Sequence, residues 1–392
     1  MDGPHVSSPD SPDSPDSPDS PDSPDSPAVL EAAILDQASR LFKRHVTREV
    51  LREADRGHFP HATWDAVEQA GLPWASVPEA AGGAGLERRA GLKLVRCAAY
   101  HCLPLPLAEV MLARTLWPDM PELPGGLVTI AGSSRRDTLR LCNDAGGWRL
   151  HGTLHRVPWG RVAKAVVAIA VTDGGVPAWV LAPAGSFAVT TVANVANEPR
   201  DTLHFGNAPL DDASVRPGVP DGILLMNGAL MRLQQMVGAM ERSLDYAVEY
   251  ATVRVQFGRT ISKFQAVQQM LAEAAGHLAA ATAAADATLD AQEWELPLLV
   301  AVAKARVGEA AGRVAAITHQ VHAAMGFTQE HPLHYATRRL WSWRDEYGSE
   351  PFWQRQVGQF VCRLGGEALW PLLADGDAAS GFAIASPGTH PA

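Results

Sequence analysis

Cysteine, apolar runs of membrane length and a leader pattern are what this 392-residue chain has least of. Its four cysteines, Cys97, Cys102, Cys142 and Cys362, stand at no metal-ligand or redox spacing. The N-terminus lacks the basic-then-apolar order of a secretory signal. The longest apolar runs are interrupted well before the roughly 18 residues that argue for a membrane span. These absences predict a reduced, cytoplasmic protein without a membrane segment. A basic surplus is missing as well. The formal charge is −10, but the first 27 residues carry seven aspartates and no lysine or arginine, leaving 36 acids against 33 bases in the rest. The acidity therefore belongs to the tail, and no nucleic-acid partner is expected.

What is present divides the chain. Residues 8–27 repeat Ser-Pro-Asp. Proline at every third position removes backbone donors and aspartate adds self-repulsion, so residues 1–27 are expected to be a disordered tail. Helical spacing of Leu30, Ile34, Ala38, Leu41 and Phe42, with "HATWDAVEQAGL" and "LKLVRCAAYHC" further on, predicts an all-helical domain over 28–125. The loop "VPEAAGGAGL" follows no strand and contains no fitting G-x-G-x-x-G, which excludes a Rossmann fingerprint. From Gly126 the period shortens. "TLRLC", "WRLHGTLHRV", "AVVAIAV", "AWVLA" and "FAVTTVA" predict a small antiparallel β domain over 126–220, closed by Pro217 and Pro220. Long alanine-rich helical patterns then predict a four-helix bundle over 221–376, with a flexible tail over 377–392. The fold class expected is α+β, mainly α.

The sharpest local signal is "RVQFGRTISKFQ", Arg254 to Gln265. Gly258 can adopt φ > 0 and stop the preceding helix. Arg254 and Arg259 set two guanidinium forks beside that stop, and such forks match phosphate oxygens bidentately. Read alone, the segment is either a charged bundle corner or a diphosphate cradle with Phe257 free for a ring. Two histidine pairs at i, i+3, His319 with His322 and His331 with His334, have no accompanying Glu-x-x-His motif, so no metal is expected.

"YAVEYATVRVQFGRTISKFQAVQQMLAE" resembles the R-x-x-F-G-x-x-I-x-x-F-Q signature of the acyl-CoA dehydrogenase family. "QVHAAMGFTQEHPLHYATRR" resembles that family's Q-x-x-G-G-x-G-F segment, about 60 residues later as the family requires. "WDAVEQAGLPWASVPEAAGGAGL" is similar to its N-terminal block. The resemblance implies a fold of helices, β domain and long-helix bundle, a homo- or hetero-tetramer, and FAD held between β domain and bundle with a neighbouring subunit completing the site. It implies that Arg254, Gln256 and Phe257 contact the FAD diphosphate and adjoining groups, and that Gln265 lies near the adenine end. Gln320 and the backbone at Ala323 and Ala324 would reach the flavin nucleotide of the other subunit, and Ser349 is the small hydroxyl residue after the active-site glycine. The implied reaction is α,β-dehydrogenation of an acyl-CoA thioester. A carboxylate takes the α-proton, the β-hydrogen leaves as hydride, and an electron-accepting flavoprotein or similar partner is served.

Three departures accompany the resemblance. In the family register the catalytic glutamate falls on Tyr347, and the family's other base position falls near Gly228 in "LLMNGALMRLQQM". Glu346 is the nearest carboxylate, and it is the expected base if the loop is re-registered. The paired glycines become Ala323 and Ala324, whose methyls are tolerable if φ stays negative. "GLVTIAGSSRRDTLRL" lacks the Thr-Glu-Pro-Gly and Ser-Asp runs. The alternative to an active dehydrogenase is a catalytically silent scaffold subunit that completes a partner's FAD site.

Overall fold

The computed structural model describes residues 27–121, 126–132, 134–144, 147–376 and 378–384. The Ser-Pro-Asp repeat and most of the C-terminal tail lie outside the described residues. Five helices come first: α1 (Pro27–His45), α2 (Arg48–Asp55), α3 (His61–Gln69), α4 (Arg88–Tyr100) and α5 (Leu107–Leu116). Thr47 caps α2, its Oγ1 accepting from the Val50 N–H at 3.3 Å, which satisfies one of the orphan donors of a helix start. Phe42, Trp64, Val67, Leu94, Leu107 and Met111 bury the apolar faces of these helices in one cluster.

The middle of the chain forms β1 (Val128–Ile130), β2 (Arg140–Asp144), β3 (Gly147–Pro158), β4 (Ala165–Thr172), β5 (Pro177–Pro183), β6 (Ala188–Thr190), β7 (Arg200–Leu210) and β8 (Val215–Pro217). Their order is β6-β7-β3-β2-β4-β5-β8, with β1 also paired to β4. The sheet is mixed, which corrects the expectation of a purely antiparallel domain. β1 and β2 both run parallel to β4 at successive stretches of one edge, Val128–Ile130 against Ala165–Val167 and Arg140–Leu141 against Val171–Thr172. They act as one strand interrupted by a turn, and that turn projects toward the helices that follow.

Those helices are α6 (Ile223–Val253), α7 (Gln265–Asp286), α8 (Leu296–His322), α9 (Leu333–Trp343), α10 (Glu350–Leu364) and α11 (Gly366–Asp375). The 31 residues of α6 span about 46 Å at 1.5 Å per residue. It lies against α4 closely enough that a Cβ on Gly238 would sit 2.2 Å from the Arg96 carbonyl oxygen, so glycine is what permits that approach. Gly258 does not stop α6. The helix ends at Val253, and Phe257 (φ +50°) with Gly258 (φ +79°) forms the turn of a short hairpin, β9 (Val255–Gln256) with β10 (Arg259–Thr260). Positive φ at both central residues is the primed turn that suits a two-residue hairpin. The largest buried cluster joins α6 and α8 to Leu340, Trp343, Tyr347 and Trp353.

Candidate active site

Both family positions for the base meet in one contact. A Cβ added to Gly228 on α6 would stand 2.2 Å from Cδ1 of Tyr347, so the absent side chain at one position is the space filled by the ring at the other. Tyr347 is buried, and burial raises its phenol above the ordinary tyrosine range. Its backbone is at φ +54°, followed by Gly348 at +93°. For a bulky residue that conformation costs on the order of 1–3 kcal/mol and persists only where the surroundings over-determine it. Here they do. The Trp353 indole N–H donates to the Tyr347 carbonyl at 3.1 Å, and the buried Lys304 Nζ on α8 donates to the carbonyls of Arg344 at 2.9 Å and Gly348 at 2.7 Å. Burial pushes Lys304 down to about 7.

Glu346 turns inward, but into guanidinium. Its Oε1 accepts from Arg200 Nε at 2.9 Å and its Oε2 from Arg232 Nε at 2.7 Å. Arg232, 1% exposed, also donates to Glu109 on α5 and to Gln235. Arg200 continues to Glu198 at 3.0 Å, and Glu198 accepts from Arg339 Nε at 2.9 Å and the Trp343 indole at 3.0 Å. Three carboxylates and three guanidiniums thus alternate through the junction of α5, α6, β7 and α9. Burial raises the Glu346 carboxyl, yet Arg200 and Arg232 outweigh it and hold the group below the usual carboxylate range. Glu198 is likewise brought down to about 2 against the cost of burial by Arg200 and Arg339.

The residues implied for the nucleotide gather elsewhere, at the far end of α6. Arg254 caps that helix, Gln256 and Phe257 lie on the hairpin, and Gln265 opens α7. Gln320 lies in the last turn of α8, with Ala323 and Ala324 in the 3-10 turn that follows. Val321 packs with Ala247, Ala251, Ile261 and Val267, which brings the two groups to one end of the bundle. Arg254, Gln256, Gln265, Gln320, Ala323 and Ala324 are all exposed, Phe257 is 93% exposed, and nearby Phe327 is 78% exposed. Arg254 has no carboxylate partner among the described residues. This donor set, a free guanidinium with amides and a bare aromatic face, fits the diphosphate side of FAD. Ala323 has φ +50°, ψ −136°, contrary to the negative φ expected of it, so the chain keeps a glycine-type backbone under an alanine.

Ser349 is set apart from that group. It caps α10 beside Gly348 and lines a cleft between sheet and bundle with Ser134, Arg135, Arg136, Arg156 and Arg355. Four arginines and one acid, Asp345, stand on the wall of that cleft. Among the described residues no group of three or more His, Cys, Asp and Glu is arranged to hold a metal, and no helix is long and apolar enough to cross a membrane. Sequence reasoning missed Arg200, Arg232, Glu198 and Lys304. The signal for two of them was a charge at the end of or within an apolar helical run, Arg232 in "LLMNGALMRLQQM" and Lys304 after "LPLLVAVA".

Residues 30–117 match the acyl-CoA dehydrogenase N-terminal domain and residues 223–345 the acyl-CoA dehydrogenase C-terminal domain. The chain is 29% identical over 321 residues to acyl-CoA dehydrogenase FadE27 of Mycobacterium tuberculosis, covering 74% of this chain and 85% of that protein. It is 29% identical over 313 residues to acyl-CoA dehydrogenase IpdE2 of the same organism, covering 78% and 88%. A chain of the ChsE4-ChsE5 complex from M. tuberculosis shares the fold with a TM-score of 0.77 at 24% identity, over 86% of this chain and 98% of that chain. Butyryl-CoA dehydrogenase from Megasphaera elsdenii does so with 0.75 at 18% identity, over 85% and 98%. With family domains matched on both sides of the sheet and the fold shared across it, the chain belongs to the acyl-CoA dehydrogenase family of flavoprotein oxidoreductases.

Proposed function

We propose that this chain serves FAD-dependent α,β-dehydrogenation of an acyl-CoA thioester as the base-less subunit of a mixed assembly, completing a partner subunit's FAD site. The observation that carries the reading is the Tyr347 ring seated on Gly228, which leaves neither family position for a base open. Glu346 is a poor substitute. An α-proton of a thioester is a weak acid, and the carboxylate that takes it needs a raised pKa and an unshared lone pair. Glu346 has a lowered pKa and spends both oxygens on arginines. We read it as a structural ion that holds the β7 region against α6. FAD, when bound, supplies the hydride acceptor. This chain's part is to present Arg254, Gln256 and Phe257 from one segment, and Gln320 with the 323–324 backbone from another, to the nucleotide of a neighbour.

Exposure of Phe257 and Phe327 at that end supports assembly through it, since bare aromatic rings of this kind mark interaction sites. A crystallised relative in fold is itself a complex of two named chains, ChsE4 and ChsE5. Electrons would pass on to an acceptor flavoprotein. The test is expression alone and together with a base-bearing dehydrogenase of the same organism. Alone, the protein is expected to leave its absorbance spectrum unchanged on addition of a panel of acyl-CoAs. Together, the pair should retain FAD and turn over, and Arg254→Gln in this chain should strip FAD from the pair. A homomeric preparation that bleaches a bound flavin with an acyl-CoA, and loses that ability in Glu346→Gln, would overturn the reading.

A further inference from the structure

Where the ends of α1 and α4 and the start of α2 meet the C-terminal half of α6 lies a groove of about 510 Å³. Its walls bring Lys43, Arg48 and Arg242 together, and Glu249 is the one acid among its lining residues. None of the three cations has a carboxylate partner among the described residues. Their neighbours do: Arg40 pairs with Asp36, Arg56 with Glu53 and Arg338 with Asp55. Lys43 and Arg48 are exposed, while Arg242 lies over the Tyr246 ring, 4.1 Å from its centroid. Two imidazoles of the groove feel this field. Burial, then Arg242 and Lys43, bring His101 down to about 4; burial, then His322 and Arg48, do the same for His331. Both rings are therefore neutral near pH 7, and the groove's charge is that of its arginines and lysine.

The chain itself carries a matching anion. Its Ser-Pro-Asp repeat sets Asp10, Asp13, Asp16, Asp19, Asp22 and Asp25 at a period of three, with no lysine or arginine among them. The repeat ends at Pro27, the first residue of α1, and Lys43 lies on the same helix about 24 Å further on at 1.5 Å per residue. A chain running back beside that helix at about 3.1 Å per residue covers the distance in about eight residues, which brings the stretch from Asp10 to Asp19 to the groove. Three residues per turn of polyproline II match the period of the repeat, so in that form the aspartates share one edge, about 9 Å apart. Tethering raises the effective concentration to about the millimolar range, and ion pairs worth little singly are then made together. We propose that the Ser-Pro-Asp repeat doubles back along α1 and docks its aspartates on Lys43, Arg48 and Arg242, tying the N-terminal helices to α6. The inference uses no residue given to the nucleotide and does not rest on the heteromeric reading.

Zero-length carbodiimide coupling of the full chain, read by mass spectrometry, tests it. The chain has five lysines, of which Lys43, Lys164 and Lys263 are exposed, so each lysine reports one region of the surface. The aspartates from Asp10 to Asp19 are expected to couple to Lys43 at least about fivefold more than to Lys164 or Lys263. In a mixture of nitrogen-14 and nitrogen-15 protein the coupled pairs should carry one label, that of a single chain. Sodium chloride at about 0.5 M, which shortens the screening length to a few ångströms, should cut the Lys43 yield about fivefold, and Arg48→Glu should do the same. Arg48 is exposed and opens α2, where a glutamate suits the helix dipole, so the variant should melt as the parent does. A tether that does not dock would be moved by neither change. Coupling shared evenly among the three lysines, or unmoved by Arg48→Glu, overturns the proposal. Coupling found only between labelled and unlabelled chains also overturns it and assigns the groove to the repeat of a second copy.

Discussion

At the N-terminal end of α6, Gly228 and Arg232 meet Tyr347 and Glu346 inside the chain; at its C-terminal end, Arg254 and Phe257 stand open to solvent. One helix thus carries a position filled by its own protomer at one end and side chains open to solvent at the other. The difference separates two kinds of residue that a family register treats alike. At the closed end Arg232 and Glu346 have internal partners and serve stability. At the open end Arg254 and Phe257 have no carboxylate partner or buried packing among the described residues, and the proposed function gives them to a neighbour's nucleotide.

The strongest way to break this comparison is to treat both ends alike. Arg232→Leu removes the guanidinium shared by Glu109 and Glu346, leaving buried Glu109 unpaired and Glu346 with Arg200 alone. A loss of about 3–5 kcal/mol in denaturant unfolding is expected. Arg254→Leu should change stability by less than about 0.5 kcal/mol, as exposed substitutions do. Equal effects at the two ends would abolish the distinction.

Lys304 sharpens it through pH. In the folded chain its ammonium releases its proton near 7, whereas in the unfolded chain it does so near the usual value of about 10.4. Between those limits the unfolded state holds one proton more, so this group makes stability rise with pH, by up to about 1.4 kcal/mol per unit. Lys304→Met should flatten the rise measured between about pH 7 and 10. A slope identical in parent and variant would show that Lys304 does not clamp the Tyr347 loop as a neutral amine.

Gly228→Ala probes the closed base position itself. The methyl would enter the Tyr347 ring, an overpacking expected to cost about 1–3 kcal/mol. Combining it with Tyr347→Ala should recover most of that cost. A double-mutant cycle that shows no coupling would mean that the two family positions do not compete for one space.

What could be read in advance follows from the range of the interactions. The order of helices, sheet and helices was legible because each long helix repeats its apolar face locally, as α6 and α8 do. β7 was not legible. "RDTLHFGNAPL" alternates buried with exposed residues but includes glycine, asparagine and proline, and its pairing with β3 across some 50 residues is what makes it a strand. The parallel placement of β1 and β2 escaped for the same reason. The missing glutamate at Tyr347 was legible from spacing within a motif. The ion network that captures Glu346 was not, because Arg200 and Arg232 lie 146 and 114 residues away and only the fold brings them to one carboxylate.

The smallest expected effect is at the open end, and it asks whether that end still obeys a glycine rule. Ala323 sits at φ +50°, ψ −136°, a region that alanine visits only at a cost of roughly 1–2 kcal/mol because its Cβ crowds the backbone. It is exposed and its N–H donates to the Gln320 carbonyl, so local bonding holds the turn. Ala323→Gly removes the steric penalty but adds freedom to the unfolded chain, which offsets part of the gain by about 0.4–1 kcal/mol. The net expectation is a stabilisation of about 0.5–1 kcal/mol, read as a higher denaturation midpoint with an unchanged slope. A destabilised variant would mean that the turn relaxes to negative φ in solution, and with it the glycine-type backbone that distinguishes this end of the bundle from the other.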